Sequence, residues 1–156
     1  MIRPAELADL DALVALEERC FEADRLDRGS LRHALASLTM LGLVDEDRDQ
    51  VRGYVLLRFR RQSTQVRILS LAVDPDARRQ GVARALLKEV ETAAQEQGVT
   101  ELILELREDN AVALALYRSL GFDQTGTLLA YYHDKSDALR LSKPLSPAAR
   151  ARADEV

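Results

Sequence analysis

The chain has 156 residues, of which 47% are hydrophobic and 31% are charged, and its formal net charge is -4. A chain of this length and composition fits one globular domain with a single core, which excludes two large domains. The negative net charge argues against a nucleic-acid-binding protein. With Cys20 as the one cysteine there is no internal disulfide, and no apolar run is long enough for a signal peptide or a membrane span. We therefore expect a cytoplasmic protein that binds neither membranes nor nucleic acids.

The first part of the chain predicts one short strand and two helices. Residues 1–3 favour a strand that ends at a proline. Across residues 7–21, apolar side chains recur at helical spacing, and Cys20 lies on that stripe, where we expect it to pack in the core. Residues 22–29 are charged without periodicity and are interpreted as a loop that faces a substrate. A short helix capped by Ser30 is expected to follow.

A β-rich region fills the middle of the chain. Residues 40–45, 51–60 and 65–73 predict three strands of an antiparallel meander, with turns at residues 47–50 and 60–64. Four arginines of this region are interpreted as a solvated hairpin end rather than a phosphate-binding patch. They are Arg58, Arg60, Arg61 and Arg67.

A loop that binds an anion is predicted directly after the third of these strands. Asp74-Pro75 ends the strand and helical spacing resumes at Val82, so residues 78–83 (RRQGVA) join strand to helix. With Gly81 in the first helical turn, backbone N–H groups that lack a partner within the helix can close on an anion, which the helix dipole favours. We call residues 78–84 the cradle and predict that it binds a di- or triphosphate.

The remainder of the chain predicts a strand, a helix and a hairpin. Gly98 ends the helix that follows the cradle, and residues 101–106 (ELILEL) form a strand that a right-handed crossover places parallel to the preceding one. Asn110 caps the next helix, which Gly121 closes. A last antiparallel pair of strands covers residues 122–129 and 138–143.

Together these elements predict an α/β fold with a central mixed sheet of six to seven strands, flanked by about four helices. We expect a single domain over residues 1–145 and a flexible tail over residues 146–156, which is rich in alanine and arginine. The order of elements says nothing about chemistry, which depends on particular side chains.

Three motifs, in order along the chain, resemble the GNAT superfamily of acyl-CoA-dependent N-acetyltransferases. They are Arg78-x-x-Gly81-x-Ala83, Glu105-Leu106-Arg107-x-x-Asn110 and Ala115-Leu116-Tyr117-x-x-x-Gly121-Phe122. Each lies on the expected element, and the resemblance covers roughly residues 2–145. The chain is closest to the RimI-type ribosomal-protein alanine N-acetyltransferases, which it also resembles in Leu71-Ala72-Val73-Asp74-Pro75 and in the pair Tyr131-Tyr132.

The resemblance implies a GNAT-like fold and acetyl-CoA as the acyl donor. It implies that a main-chain edge pairs with the pantetheine arm and that the cradle holds the pyrophosphate. The cofactor-binding residues implied in this way are Leu71, Ala72, Val73, Arg78, Arg79, Gln80, Gly81, Val82, Ala83, Arg84, Asn110 and Tyr117. The two histidines are far apart in sequence and no second cysteine or carboxylate cluster accompanies them, so we predict no metal.

Two side chains are candidates for the chemistry of acetyl transfer to a neutral amine. Glu105 lies in an otherwise apolar strand, where a partly desolvated carboxylate acquires a higher pKa suited to a base; the alternative is a glutamate that reaches solvent. The resemblance implies that Tyr117 protonates the departing thiolate of coenzyme A. The residues alone favour a tyrosine that packs beside Ala113 and Leu120.

The acceptor is expected to be the amine of a protein N-terminus, a lysine or a small molecule. The chain departs from the RimI pattern because it has no tryptophan and lacks the Pro-Trp pair that usually follows Cys20-Phe21. Three acidic residues could instead attract a cationic acceptor such as a lysine side chain or a polyamine: Glu22, Asp24 and Asp27. Tyr131 and Tyr132 either line the acceptor channel or cover the end of the hairpin.

Two alternatives to direct acetyl transfer remain open. A catalytically inactive acyl-CoA-binding sensor or regulatory module would need only the cradle and the strand edge, whereas an enzyme needs Glu105 and Tyr117 as well. A covalent route would pass through the thiol of Cys20. The chain is expected to be a monomer or a homodimer.

Overall fold

A computed structural model describes residues 1–146 of the chain, which form two compact units. The first unit comprises residues 1–61 and 68–93, and the second comprises residues 62–67 and those from residue 94 onward. The single domain expected over residues 1–145 stays a prediction. The tail expected over residues 146–156 falls, apart from its first residue, outside the described residues.

Seven strands and four α-helices make up the regular structure of the described residues, together with two short 3-10 helices. The strands are β1 (Ile2–Pro4), β2 (Met40–Asp47), β3 (Gln50–Phe59), β4 (Gln65–Val73), β5 (Glu101–Arg107), β6 (Asp123–Leu128) and β7 (Ala138–Pro144). The helices are α1 (Leu10–Cys20), α2 (Arg28–Ala36), α3 (Val82–Glu96) and α4 (Ala111–Ser119). The strand order is β1-β2-β3-β4-β5-β7-β6, and the predicted α/β fold with a mixed sheet is confirmed.

In the first unit, α1 and α2 pack on β2 and β3 around a buried apolar core. β1 and β3 both pair antiparallel with β2. The turn between β2 and β3 places Arg48 and Asp49 at φ +51° and +65°, and such left-handed residues match the twist of a tight hairpin. The core contains Leu10, Leu13, Leu16, Leu31, Ala34, Val44, Tyr54, Leu56 and Ala72.

In the second unit, β5 is the central strand. It pairs antiparallel with β7 along its whole length, and β7 pairs antiparallel with β6. The other edge of β5 pairs with β4 in the predicted parallel direction, with the last of these pairs between Arg67 and Ile103. β4 continues beyond this pair to Val73.

Polar caps and glycines define the helix ends of the second unit as predicted. The side chain of Asn110 accepts a hydrogen bond from the backbone N–H of Ala113 at 3.1 Å, at the start of α4. Gly98 and Gly121 follow α3 and α4 with φ of +77° and +96°, a conformation in which glycine has no β-carbon penalty.

The prediction that Ser30 caps α2 is wrong. The helix begins at Arg28, and the carboxylate of Asp27 accepts the backbone N–H of Ser30 at 2.7 Å. Aspartate and serine are both good caps, so local sequence alone did not decide between them.

Among the described residues, no helix combines the length and the apolar character needed to cross a membrane.

Candidate functional site

The cradle follows the end of β4 and extends into the first turn of α3, in the first unit. Its backbone enters the left-handed region at Arg79 (φ +66°) and again at Gly81 (φ +78°), and α3 begins at Val82. The prediction that Gly81 lies in the first helical turn is therefore wrong, because Gly81 directly precedes the helix. A β-carbon on Gly81 would meet no atom within 4 Å, so conformation rather than lack of space requires glycine. Left-handed residues before a helix turn backbone N–H groups inward and form a concave site suited to an anion.

Two residues of β3 hold the cradle in place, and sequence reasoning missed both. The guanidinium of Arg52 donates to Gln80 Oε1 at 3.3 Å and to the carboxylate of Asp45 at 3.3 Å. Gly53 lies beneath the start of α3, because a β-carbon there would come within 2.9 Å of Val82 Cγ1. Gly53 could have been found from the sequence, because a glycine inside an apolar strand often marks the close approach of another segment.

The chain between β4 and the cradle is anchored by Asp74. Its carboxylate accepts hydrogen bonds from Arg19 at 2.5 Å and from the backbone N–H of Asp76 at 2.9 Å. Its own backbone N–H donates to the carbonyl of Arg52 at 2.7 Å. The end of β4 is therefore tied to both α1 and β3.

The residues of β4 that are predicted to pair with the cofactor alternate in burial. Ala72 is buried in the core, whereas Leu71 and Val73 are half-buried.

Cys20 packs against the core as predicted, and its thiol donates to the carbonyl of Val73 at 3.3 Å. Burial raises the pKa of the Cys20 thiol, and the nearby Arg78 opposes this shift only in part. A thiol that stays protonated is a poor nucleophile.

An open cavity of about 470 Å³ lies beside α2 in the first unit. Its lining is mostly apolar and comprises Leu26, Asp27, Gly29, Ser30, His33, Ala34, Met40, Leu56 and Leu69. Leu69 and Leu71 share a face of β4, because side chains alternate along a strand, and are about 7 Å apart. The cavity therefore begins close to the part of β4 that is predicted to pair with the cofactor.

Glu105 lies in the middle of β5 in the second unit, with a side chain that is 6% exposed. Its carboxylate accepts hydrogen bonds from Arg67 and from Arg140, the latter at 3.3 Å. These two guanidinium groups offset the cost of burial and favour the ionised carboxylate, against the effect of desolvation alone. The alternative of a solvent-facing Glu105 is excluded. The assignment of Arg67 to a solvated hairpin end is wrong, because Arg67 pairs with this buried carboxylate.

Tyr117 is buried within the second unit. Its ring packs edge-on against Phe122, with the two centroids 5.4 Å apart. Burial raises the pKa of Tyr117 above its ordinary value, so the phenol keeps its proton at physiological pH. This is the protonation state that a proton donor requires.

The loop between β6 and β7 carries the two remaining candidates of the second unit, Tyr131 and Tyr132. Their rings meet edge to face at a centroid distance of 5.0 Å. The guanidinium of Arg107 lies 4.6 Å from the ring centroid of Tyr132 and donates to Asp134 at 2.8 Å. Arg107 also holds the pKa of Asp134 below its ordinary value. Tyr132 is therefore held by a cation, whereas Tyr131 is exposed.

The predicted site residues fall into two groups. The first unit holds Leu71, Ala72, Val73, Arg78, Arg79, Gln80, Gly81, Val82, Ala83 and Arg84, and the second unit holds Glu105, Asn110, Tyr117, Tyr131 and Tyr132. Within residues 1–146, no cluster of histidine, cysteine, aspartate or glutamate has an arrangement that could hold a metal ion.

Comparison with known proteins identifies the family. A model of the acetyltransferase (GNAT) family matches residues 10–122. The chain belongs to the GNAT family. The GNAT match includes the end of β4, the cradle, Glu105, Asn110 and Tyr117, and it ends before Tyr131 and Tyr132.

The named relatives of the chain include several N-acetyltransferases. The [ribosomal protein bS18]-alanine N-acetyltransferase of Escherichia coli K12 is 42% identical over 82 residues, which are 51% of this chain and 55% of that protein. The chain thus spans about half the length of such curated relatives. An N-alpha-acetyltransferase of Sulfurisphaera tokodaii is 30% identical over 92% of both chains. The crystal structure of the ribosomal-protein-S18-alanine N-acetyltransferase from Escherichia coli has a TM-score of 0.82 at 30% identity and covers 94% of both chains.

Proposed function

We propose that this GNAT chain is an N-acetyltransferase that transfers the acetyl group of acetyl-CoA to a primary amine. The observation that carries the proposal is the cradle, whose left-handed backbone at Arg79 and Gly81 directly precedes a helix of 15 residues. Backbone N–H groups and the dipole at such a helix start favour the oxygens of a pyrophosphate. The named relatives are N-acetyltransferases, which supports the same activity here.

On the donor side, the cradle would hold the pyrophosphate of coenzyme A. The main chain of Leu71 and Val73 would bind the amides of the pantetheine arm as an added strand. In support, β4 extends past its last registered pair with β5, at Arg67. Asn110 would donate to the same arm through its amide nitrogen, because its amide oxygen accepts the N–H of Ala113.

The transfer proceeds by direct attack within a ternary complex. Glu105 removes a proton from the acceptor ammonium, directly or through water, and the neutral amine attacks the thioester carbonyl. A main-chain N–H near Leu71 or Ala72 would stabilise the resulting oxyanion. The C–S bond then breaks, and the sulfur leaves with the proton of Tyr117. The acceptor nitrogen then loses its second proton to solvent, and solvent returns one proton to the phenolate of Tyr117.

The surroundings of Glu105 and Tyr117 suit these two roles. Arg67 and Arg140 favour the ionised carboxylate, which is the form that can accept a proton. Burial raises the pKa of Tyr117, which keeps its proton until the thiolate forms. The two groups therefore begin the reaction in opposite and appropriate protonation states.

We propose the α-amino group of a protein N-terminus as the acceptor. An α-amine has an ordinary pKa of about 8 and a lysine of about 10.4, so freeing a lysine amine at pH 7 costs roughly 3 kcal/mol more. The cavity that ends at Leu69 has room for the first residues of a peptide. The acidic side chains of Asp24 and Asp27 would attract the positive charge of that N-terminus, and we propose Tyr131 and Tyr132 as further acceptor-binding residues.

An acceptor screen tests this proposal. Acetyl-CoA consumption is measured with peptides that have free N-termini, with N-terminally blocked peptides that contain lysine, and with polyamines. We expect the free N-termini to react at least about tenfold faster than the blocked peptides. If the parent chain binds acetyl-CoA and transfers to no amine, it is a sensor or regulatory module and the proposal is wrong.

Cys20→Ala separates direct attack from a covalent route. We expect this variant to keep its activity, because the Cys20 thiol is protonated and engaged with the carbonyl of Val73. Loss of transfer with unchanged acetyl-CoA affinity would instead support an acyl-cysteine intermediate.

We further propose that residues 1–145 carry the activity. The cytoplasmic location and the choice between a monomer and a homodimer stay predictions.

A further inference from the structure

Glu17 of α1 is a buried carboxylate that the proposed chemistry does not use. Its exposed fraction is 2%. Both of its oxygens accept hydrogen bonds: Oε2 from the hydroxyls of Tyr54 at 2.8 Å and Ser70 at 2.7 Å, and Oε1 from the backbone N–H of Leu26 at 2.8 Å. The three donors come from β3, from β4 and from the segment between α1 and α2.

Core packing alone does not explain a carboxylate at this position. A buried carboxylate costs several kcal/mol unless hydrogen bonds satisfy it, and an apolar side chain of similar volume avoids that cost. All three partners of Glu17 are hydrogen-bond donors. Because an amide offers only one acceptor oxygen, only a carboxylate accepts from both sides at once. The arrangement therefore points to a specific connection.

That connection joins β4 to residues 21–27, which we call the acceptor segment. Ser70 directly precedes Leu71 on β4, and Leu26 lines the cavity beside α2. The acceptor segment contains no helix or strand, and its hydrogen bonds come from side chains as well as from the backbone of Phe21 and Asp27. Glu17 supplies one of these, from within the core to the backbone of Leu26.

We propose that Glu17 is a positioning residue that fixes the acceptor segment against β4 and thereby shapes the cavity for the peptide acceptor. This inference rests on the proposed N-terminal acetyltransferase function. Glu17 itself does not act as a base, because donors occupy both of its oxygens, whereas Arg67 and Arg140 both donate to Oε1 of Glu105. Its substitution should therefore weaken acceptor binding and leave acetyl-CoA binding unchanged.

Glu17→Gln tests this role against the matched control Glu18→Gln, which changes the adjacent exposed glutamate of the same helix. With one acceptor oxygen in place of two, at least one buried donor loses its partner. We expect the acceptor KM of Glu17→Gln to rise about tenfold, with the acetyl-CoA Kd within about twofold of the parent. Glu18→Gln should match the parent in both measurements.

Limited trypsin digestion provides a readout that does not depend on activity. Arg25 lies in the acceptor segment, and cleavage after it should be several-fold faster in Glu17→Gln than in Glu18→Gln at a temperature where both are folded. A lower Tm together with unchanged acceptor KM and unchanged cleavage would mean that Glu17 only stabilises the core, which overturns the inference.

Ser70→Ala keeps the test decisive if Glu17→Gln does not fold. It removes one donor to Oε2 and leaves the carboxylate in place. We expect about a threefold rise in acceptor KM and faster cleavage at Arg25, and no change in either would overturn the inference. Failure of the proposed function is distinguishable, because the parent itself would then transfer to no amine.

Discussion

The cradle of the first unit offers backbone N–H groups, whereas Glu105 of the second unit is a side chain held by two other side chains. The cradle depends on left-handed backbone at Arg79 and Gly81, and among its side chains Gln80 accepts a hydrogen bond from Arg52. Glu105 depends on Arg67 and Arg140, which lie on two other strands. A site made of backbone is sensitive to glycine and helix geometry, whereas a site made of side chains is sensitive to the loss of single functional groups.

Glu105→Gln should have the largest effect if this contrast holds. The amide cannot accept the ammonium proton, so we expect kcat to fall about 1000-fold. The acetyl-CoA Kd should stay within about twofold, because the proposed donor contacts lie elsewhere. Steady-state kinetics and calorimetry measure the two quantities. Glu101→Gln, on the same strand, is the control and should keep its kcat; a fall in both variants would show that the effect is structural.

Tyr117→Phe should lower kcat by about 100-fold at neutral pH, because the thiolate then leaves without its proton donor. The ring contact with Phe122 survives the change, so the Tm should hardly move. Since the pKa of Tyr117 is raised, the parent should show no loss of kcat from this group below about pH 10. A pH profile that is identical in parent and variant, with equal kcat, would remove Tyr117 from the mechanism.

Gly81→Val tests whether the cradle binds acetyl-CoA through its backbone conformation. A β-branched residue at φ +78° is strained, so we expect the cradle to reshape and the acetyl-CoA Kd to rise about 30-fold. Gly126→Ala is the control, because its β-carbon would meet Arg140 Cβ at an ordinary 3.9 Å. Arg79→Ala should weaken binding less than Gly81→Val. The reverse order would mean that the cradle binds through side-chain charge.

Alkaline pH should destabilise the chain modestly through its buried tyrosines. Desolvation raises the pKa of Tyr54 and of Tyr117 above the ordinary value of about 10. Above that pH the unfolded chain releases phenol protons that the folded chain retains, so the free energy of unfolding falls as pH rises, whereas below it these groups have no effect. Urea unfolding between pH 8 and 11 measures the slope, which should be shallower in Tyr54→Phe. An unchanged slope would contradict this expectation.

Much of the fold followed from local sequence patterns. The alternation and apolar runs of β4 and β5, the cap at Asn110 and the terminal glycines Gly98 and Gly121 were each predicted, because caps and strands depend on near neighbours. The cap of α2 shows the limit of this approach. Asp27 and Ser30 are both capable of capping, and the structure shows Asp27 as the cap.

The sequence by itself predicted a strand, a loop that binds an anion and a helix in this order, because each depends on near neighbours. The left-handed backbone at Arg79 and Gly81 was not predicted, and in the structure Arg52 of β3 hydrogen-bonds to Gln80 between them. Only the tertiary structure decided the surroundings of the side chains. Glu105 meets Arg67 and Arg140 across 38 and 35 positions, and Glu17 meets Tyr54 and Ser70 across 37 and 53. Such pairings depend on the register of distant strands, which no local pattern encodes, and they set the position of each carboxylate.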